Sequence, residues 1–183
     1  MAMISEIETD EHAVVAAIHH DGSGNIDAAL ADFAARQRRA GRRVLGLLMG
    51  HRDSAAGCRS AMFLTDIDNG DEYLVSQPLG GGSNACSADP QGFARASRVL
   101  RDALDRQPDL VISNRFGSLE AENGGFAAEL LALLAQGIPV LTVVSTRHLD
   151  AWRRFIGEAT MLPNDPGAWS AWFDAVLARC SGH

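Results

Sequence analysis

Lysine does not occur in this 183-residue chain; all 16 of its basic residues are arginine. That absence excludes Schiff-base chemistry with a carbonyl substrate or pyridoxal phosphate. It also removes the residue a phosphate-binding loop sends to the outer phosphates of a nucleotide. Cysteine is scarce: Cys58, Cys86 and Cys180 are the 3 in the chain, no two form a CxxC pair, and their spacing fits neither a zinc signature nor a disulfide framework. Long apolar runs are missing too, since no stretch reaches the roughly 20 residues a membrane-spanning helix needs. The acidic opening, Met1 to Glu11, lacks the charged-then-apolar order of a signal peptide. The expectation is a cytoplasmic protein with no membrane partner. Net positive charge is absent as well: the formal charge of -7 argues against a broad nucleic-acid surface, but leaves room for one small basic pocket.

What is present is an ordinary globular composition, 46% hydrophobic and 21% charged, and a length that predicts one α/β domain over residues 1–183. Buried-strand runs at 13–18, 43–49, 109–113 and 139–144 alternate with helical periodicity at 26–40, 90–106, 125–136 and 148–156. Asn25 and Asp89 stand as N-caps, and Pro90 takes a first helical position. Two strand-like runs, 60–66 and 72–76, flank Asp68-Asn69-Gly70, a strong hairpin signal. A short strand at 158–162 and a helix opening at Asp165-Pro166 complete the pattern. The order predicts a mainly parallel sheet sandwiched by helices, with an inserted antiparallel hairpin.

In such sheets ligands bind at the carboxyl ends of the strands. Four chemically equipped segments fall there: His19 to Asn25, His51-Arg52, Asn114 to Gly117, and Ser145-Thr146. The first is a strand, a glycine-bearing turn and a helix start, the layout that points backbone N–H groups at an anion. Gly22, Ser23, Gly24 and Asn25 form this candidate cradle. The bland alternative is a tight turn that needs its two glycines for backbone conformation. A phosphate loop would open its helix with Lys and Ser/Thr, whereas this chain has Asn25, Ile26 and Asp27. Asp27 reads as a complement to the helix N-terminus.

A second candidate is the long Gly-rich segment from Gln77 to Asp89, in which Gly80, Gly81, Gly82, Ser83, Asn84 and Cys86 offer amides, a hydroxyl and a thiol. Arg52 and Arg115 qualify as bidentate anion clamps, or else as surface ion pairs. Cys58, Cys86 and His51 are candidate metal ligands, though each reads equally as a structural residue. Glu120 can activate water or merely cap a helix start. Trp169, Trp172, Phe173 and Val176 recur at helical spacing and form either a core stripe or a homo-oligomer contact.

Taken together these strings resemble a family of short bacterial proteins of unknown function, often encoded near molybdate-uptake genes. The likeness runs through Gly46-Leu-Leu-Met-Gly-His-Arg52, Cys58, Phe63 to Gly70, Ser76-Gln-Pro-Leu-Gly80, Gly82 to Cys86, Asp89-Pro90, and Asn114-Arg-Phe-Gly117 with Glu120. More distantly the layout is similar to the nucleoside-triphosphatases of thermophiles, which carry a P-loop. That likeness implies a P-loop-NTPase-like fold. It also implies that Asn114 stands where a strand-end Asp would help hold magnesium, so the family's hydrolytic activity does not follow. The resulting expectation is a protein binding a small anionic ligand, with the resemblance pointing to molybdate or tungstate. A diverged enzyme binding nucleotide with magnesium and a non-catalytic homo-oligomeric partner protein are the alternatives.

Overall fold

The computed structural model describes residues 14–53, 60–81, 85–157 and 159–181. Strand β1 (Val15–His20) is followed by helix α1 (Ile26–Arg39), which begins where the Asn25 side chain accepts the Ala28 N–H. Strand β2 (Val44–Arg52) leads into β3 (Ala61–Asp66) and β4 (Glu72–Leu74). After a small ribbon, β5 (Ser76–Pro78) with β6 (Cys86–Ala88), comes α2 (Pro90–Arg106), capped by the Asp89 carboxylate on the Gln91 N–H. Strand β7 (Leu110–Phe116), a one-turn helix α3 (Ser118–Ala121) and α4 (Ala127–Ala135) follow. The chain closes with β8 (Val140–Ser145), α5 (Leu149–Ile156), β9 (Thr160–Leu162) and α6 (Pro166–Cys180).

Seven strands form one sheet in the order β4-β3-β2-β7-β8-β1-β9. Strands β2, β7, β8, β1 and β9 run parallel, and the β3–β4 hairpin adds two antiparallel strands at one edge. The turn between them follows from Asp68-Asn-Gly: Gly70 takes φ +79° and its N–H bonds the Asp66 carbonyl at 2.9 Å.

Alternation along the buried strands sends successive side chains to opposite faces. Val15, Ala17, Leu45, Leu47 and Val111 meet α2, α4 and α5 on one face. Ala16, Ile18, Val44, Leu110 and Ile112 meet α1 and α6 on the other. With both faces covered, the central strands read as continuous apolar runs. The aromatic stripe of α6 packs inward: Trp169, Trp172, Phe173 and Val176 are all buried, and Trp169 meets the Phe33 ring edge-on at 5.9 Å.

Three differences from the sequence expectation bear on function. Strands β1, β2 and β7 run two to three residues further than their apolar cores, because polar residues at their ends keep the ladder: His20 still pairs with Ser145, and Arg52 with Ala61. Part of the Gly-rich segment is a paired ribbon, with Gln77 opposite Ser87. Helix α3 is too short for any periodicity and is made by Glu120 reaching back to the Gly117 N–H. Among the described residues no helix is long and apolar enough to cross a membrane.

Candidate functional site at the carboxyl ends of the strands

The extended strand ends bring three polar side chains from two strands together around Asp27, the second residue of α1. Strand β7 is bulged between Ser113 and Phe116, and within that bulge Arg115 adopts φ +74°. A left-handed arginine in a strand costs roughly 1–3 kcal/mol, and it persists only where its surroundings hold it. Here the hold is visible: one terminal nitrogen of Arg115 donates to both carboxylate oxygens of Asp27, at 3.1 and 3.0 Å. Asn114 Nδ2 donates to the same carboxylate at 3.2 Å, and His51 Nδ1 stands 3.7 Å from it. The bulge thus re-aims a basic side chain across the sheet edge, a common use of bulges near binding sites.

The cluster is incompletely satisfied. Among the described residues, Asn114 Oδ1 and Arg115 Nε are buried without a hydrogen-bond partner. Unmade bonds of this kind cost free energy. Arg115 borders two cavities. The smaller, about 160 Å³, is lined by Arg115, Phe116, Gly117, Val143, Ser145 and His148. The larger, about 370 Å³, lies between the ends of β2 and β7 and helices α2 and α3.

The remaining sequence candidates are placed as follows. Gly22 and Gly24 take φ +94° and +72°, with open space where a Cβ would stand, the backbone conformation that a tight strand-to-helix turn also requires. Ser23 is committed locally, its N–H and hydroxyl both bonding Asp21 Oδ1, at 2.9 and 2.5 Å. These bonds hold the Asp21 carboxyl below the usual aspartate range. Arg52 lies away from Asp27: it bonds Glu72 at 2.5 Å and its guanidinium stacks over the Phe63 ring at 3.9 Å. Glu120 is buried, and its two oxygens accept the backbone N–H groups of Gly117 and Phe126 at 2.9 and 3.1 Å. That is a helix-capping role, with both oxygens already engaged.

Gly80 and Gly81 sit exposed beyond β5. Cys86 is disulfide-bonded, a pairing that sequence spacing did not suggest, and in that form it has no thiolate for a metal or an oxyanion. Cys180 is a free, exposed thiol. Cys58, Gly82, Ser83 and Asn84 lie outside the described residues. Sequence reasoning missed Arg147 and His148 as site residues, although they directly follow the strand-end pair Ser145-Thr146. It also gave Asp27 only a helix-dipole role, because nothing local to Asp27 announces an arginine 88 positions away.

Two positions depart from a phosphate loop that holds magnesium and nucleotide. Asn25, at the lysine position, is used as the cap of α1, and Ile26, at the hydroxyl position, is buried in the core. The space beside Asn114 holds the guanidinium of Arg115 against Asp27.

Sheet order, the strand–turn–helix at β1 and the helices on both faces make an α/β fold that matches P-loop NTPase structures. By fold it is similar to a human cancer-related nucleoside triphosphatase (TM-score 0.65, 14% identity, covering 92% of this chain and 98% of that one). It is also similar to THEP1 from the hyperthermophile Aquifex aeolicus (TM-score 0.50, 15% identity, covering 90% and 97%). The chain belongs to the family described as protein of unknown function DUF2478, which it matches over residues 15–172. It is 35% identical over 181 residues to the molybdenum import ATP-binding protein ModC 2 of Bradyrhizobium diazoefficiens. That alignment takes in 91% of this chain but 20% of the relative, so the chain spans about a fifth of that protein's length.

Proposed function

We propose that the chain is an anion-binding protein that uses a P-loop NTPase fold without NTP hydrolysis, and that its ligand is a small oxyanion. The observation that carries this reading is Arg115: a strained, partly buried guanidinium with an unpartnered Nε, bordering a cavity of about 160 Å³ that His148, Ser145 and Gly117 also line. A tetrahedral anion placed there meets a charge-assisted donor, an imidazole and a hydroxyl, with no covalent step required. Molybdate or tungstate is the preferred candidate. Its support is the resemblance to proteins encoded near molybdate-uptake genes, together with the segment shared with a molybdenum import protein.

A second reading, nucleotide binding without the ordinary lysine, is favoured by one feature: the open space above Gly22 and Gly24 at the start of α1. Thermal unfolding with molybdate, tungstate, sulfate, phosphate, ATP and GTP, each with and without magnesium, separates the two. A ligand that binds only the native state raises the melting temperature by mass action. The oxyanion reading expects stabilisation by molybdate or tungstate, diminished in His148→Ala. Stabilisation by nucleotides alone overturns it in favour of the second reading.

A further inference from the structure

The larger cavity on the other side of Arg115 has a different chemistry, and we infer that it is a second site, for an organic anion with a flat apolar body. Its volume, about 370 Å³, falls in the range of about 300–1,000 Å³ usual for small-molecule pockets. Met49 and Met62 from the facing strands β2 and β3, Phe93 from α2 and Leu119 from α3 make an apolar wall that a bare, strongly hydrated oxyanion would leave unused. Thioethers beside an aromatic ring suit a planar body, because sulfur packs favourably against ring edges and adapts to shape.

The rim is cationic. Arg115 and Arg147 both reach the cavity, with His51 beside them. Arg147 is anchored there by donating to the Ser118 hydroxyl at 3.2 Å, which ties the turn after β8 to the start of α3. The acid facing this space is Glu120, and its oxygens are held by the Gly117 and Phe126 amides. Asp27 lies beyond Arg115, which already neutralises it. An apolar wall with two guanidiniums at its mouth recognises a phosphate, sulfonate or carboxylate carried on an aromatic ring system. This site shares Arg115 with the oxyanion pocket, but stands on its own wall residues.

The test is calorimetric titration of the full chain with 1-naphthyl phosphate, inorganic phosphate and 1-naphthol. The expected result is that naphthyl phosphate binds more tightly than either fragment. Its affinity should fall about tenfold in Arg147→Ala, the loss of one charge-assisted contact. Arg147 is exposed, so that variant tests binding without touching the core. Met62→Gln should weaken naphthyl phosphate while leaving any molybdate binding intact, which separates this inference from the oxyanion reading. Methyl-labelled methionine spectra give an independent readout: the probe should shift Met49 and Met62 and leave Met161 unchanged. Equal affinity for naphthyl phosphate and inorganic phosphate overturns the proposal, as does binding that neither variant alters or that leaves Met49 and Met62 unmoved.

Discussion

Asp27 and Arg115 decide what the strand ends can do. The carboxylate is 16% exposed and the guanidinium 31%, so their attraction is only partly screened, and each depends on the other for satisfaction. Asp27→Asn removes the charge that competes with an incoming anion. It should cost about 1–3 kcal/mol of stability in denaturant unfolding, the usual cost of leaving a partly buried charge without its partner. The same variant should increase the melting-temperature shift produced by molybdate, since Arg115 then has a free edge to offer. A smaller shift would mean that Asp27 positions Arg115 rather than occupying it. Gly46 tests the scaffold beneath. It takes φ +117° in β2, and a Cβ there would collide with the backbone carbonyl of Ile112 in β7. Gly46→Ala should therefore destabilise by about 2 kcal/mol or more, read as a lower denaturant midpoint with an unchanged slope. Residue types at the strand ends were legible in the sequence: His51, Asn114 and Arg115 do converge. Their pairing was not, because a left-handed arginine in a bulge leaves no periodic trace, and Asp27 read locally as a helix complement.

At the scale of elements, local chemistry and periodicity foretold most of the outcome. Asn25, Asp89 and Asp165 cap the three longest helices, as side chains able to accept a first-turn N–H do. Asn-Gly made its hairpin. Strand ends were underestimated because apolar runs stop before the hydrogen-bonded ladder does. The α6 stripe, open in sequence between core and oligomer contact, is core for all four residues. Trp172→Asp should accordingly unfold the domain or sharply lower its melting temperature, whatever the protein's oligomeric state, because an unpaired carboxylate would enter an apolar layer. The β1–α1 turn carries a pH signature. Asp21 is held low by the Ser23 hydroxyl and amide, so its contribution is present above the unfolded-state pKa and is lost as pH falls through the folded one. In a carbon-detected titration, Ser23→Ala should move the Asp21 midpoint back up towards its ordinary value.

For the whole molecule, the fold is shared with nucleoside triphosphatases but does not by itself carry their activity. Asn25 and Ile26 stand where a phosphate loop has its lysine and hydroxyl, and Arg115 is paired with Asp27. Catalysis of phosphoryl transfer is almost wholly positioning and electrostatic stabilisation, so the oxyanion reading expects binding at Arg115 without turnover, because no lysine or hydroxyl at the start of α1 is placed to hold a transferring phosphoryl group. Adding back the missing charge does not repair this. Asn25→Lys supplies a cation at the loop but deletes the α1 cap, at about 1 kcal/mol, and leaves Ile26 buried and Asp27 beside the phosphates. The expected outcome is that phosphate release from magnesium-ATP stays at the protein-free rate in both the native chain and Asn25→Lys, measured at matched folded fractions. Turnover in the native chain would put the diverged enzyme in first place. Turnover only in the variant would mean that the Asp27–Arg115 pair yields to a nucleotide, and that lysine alone was the missing part.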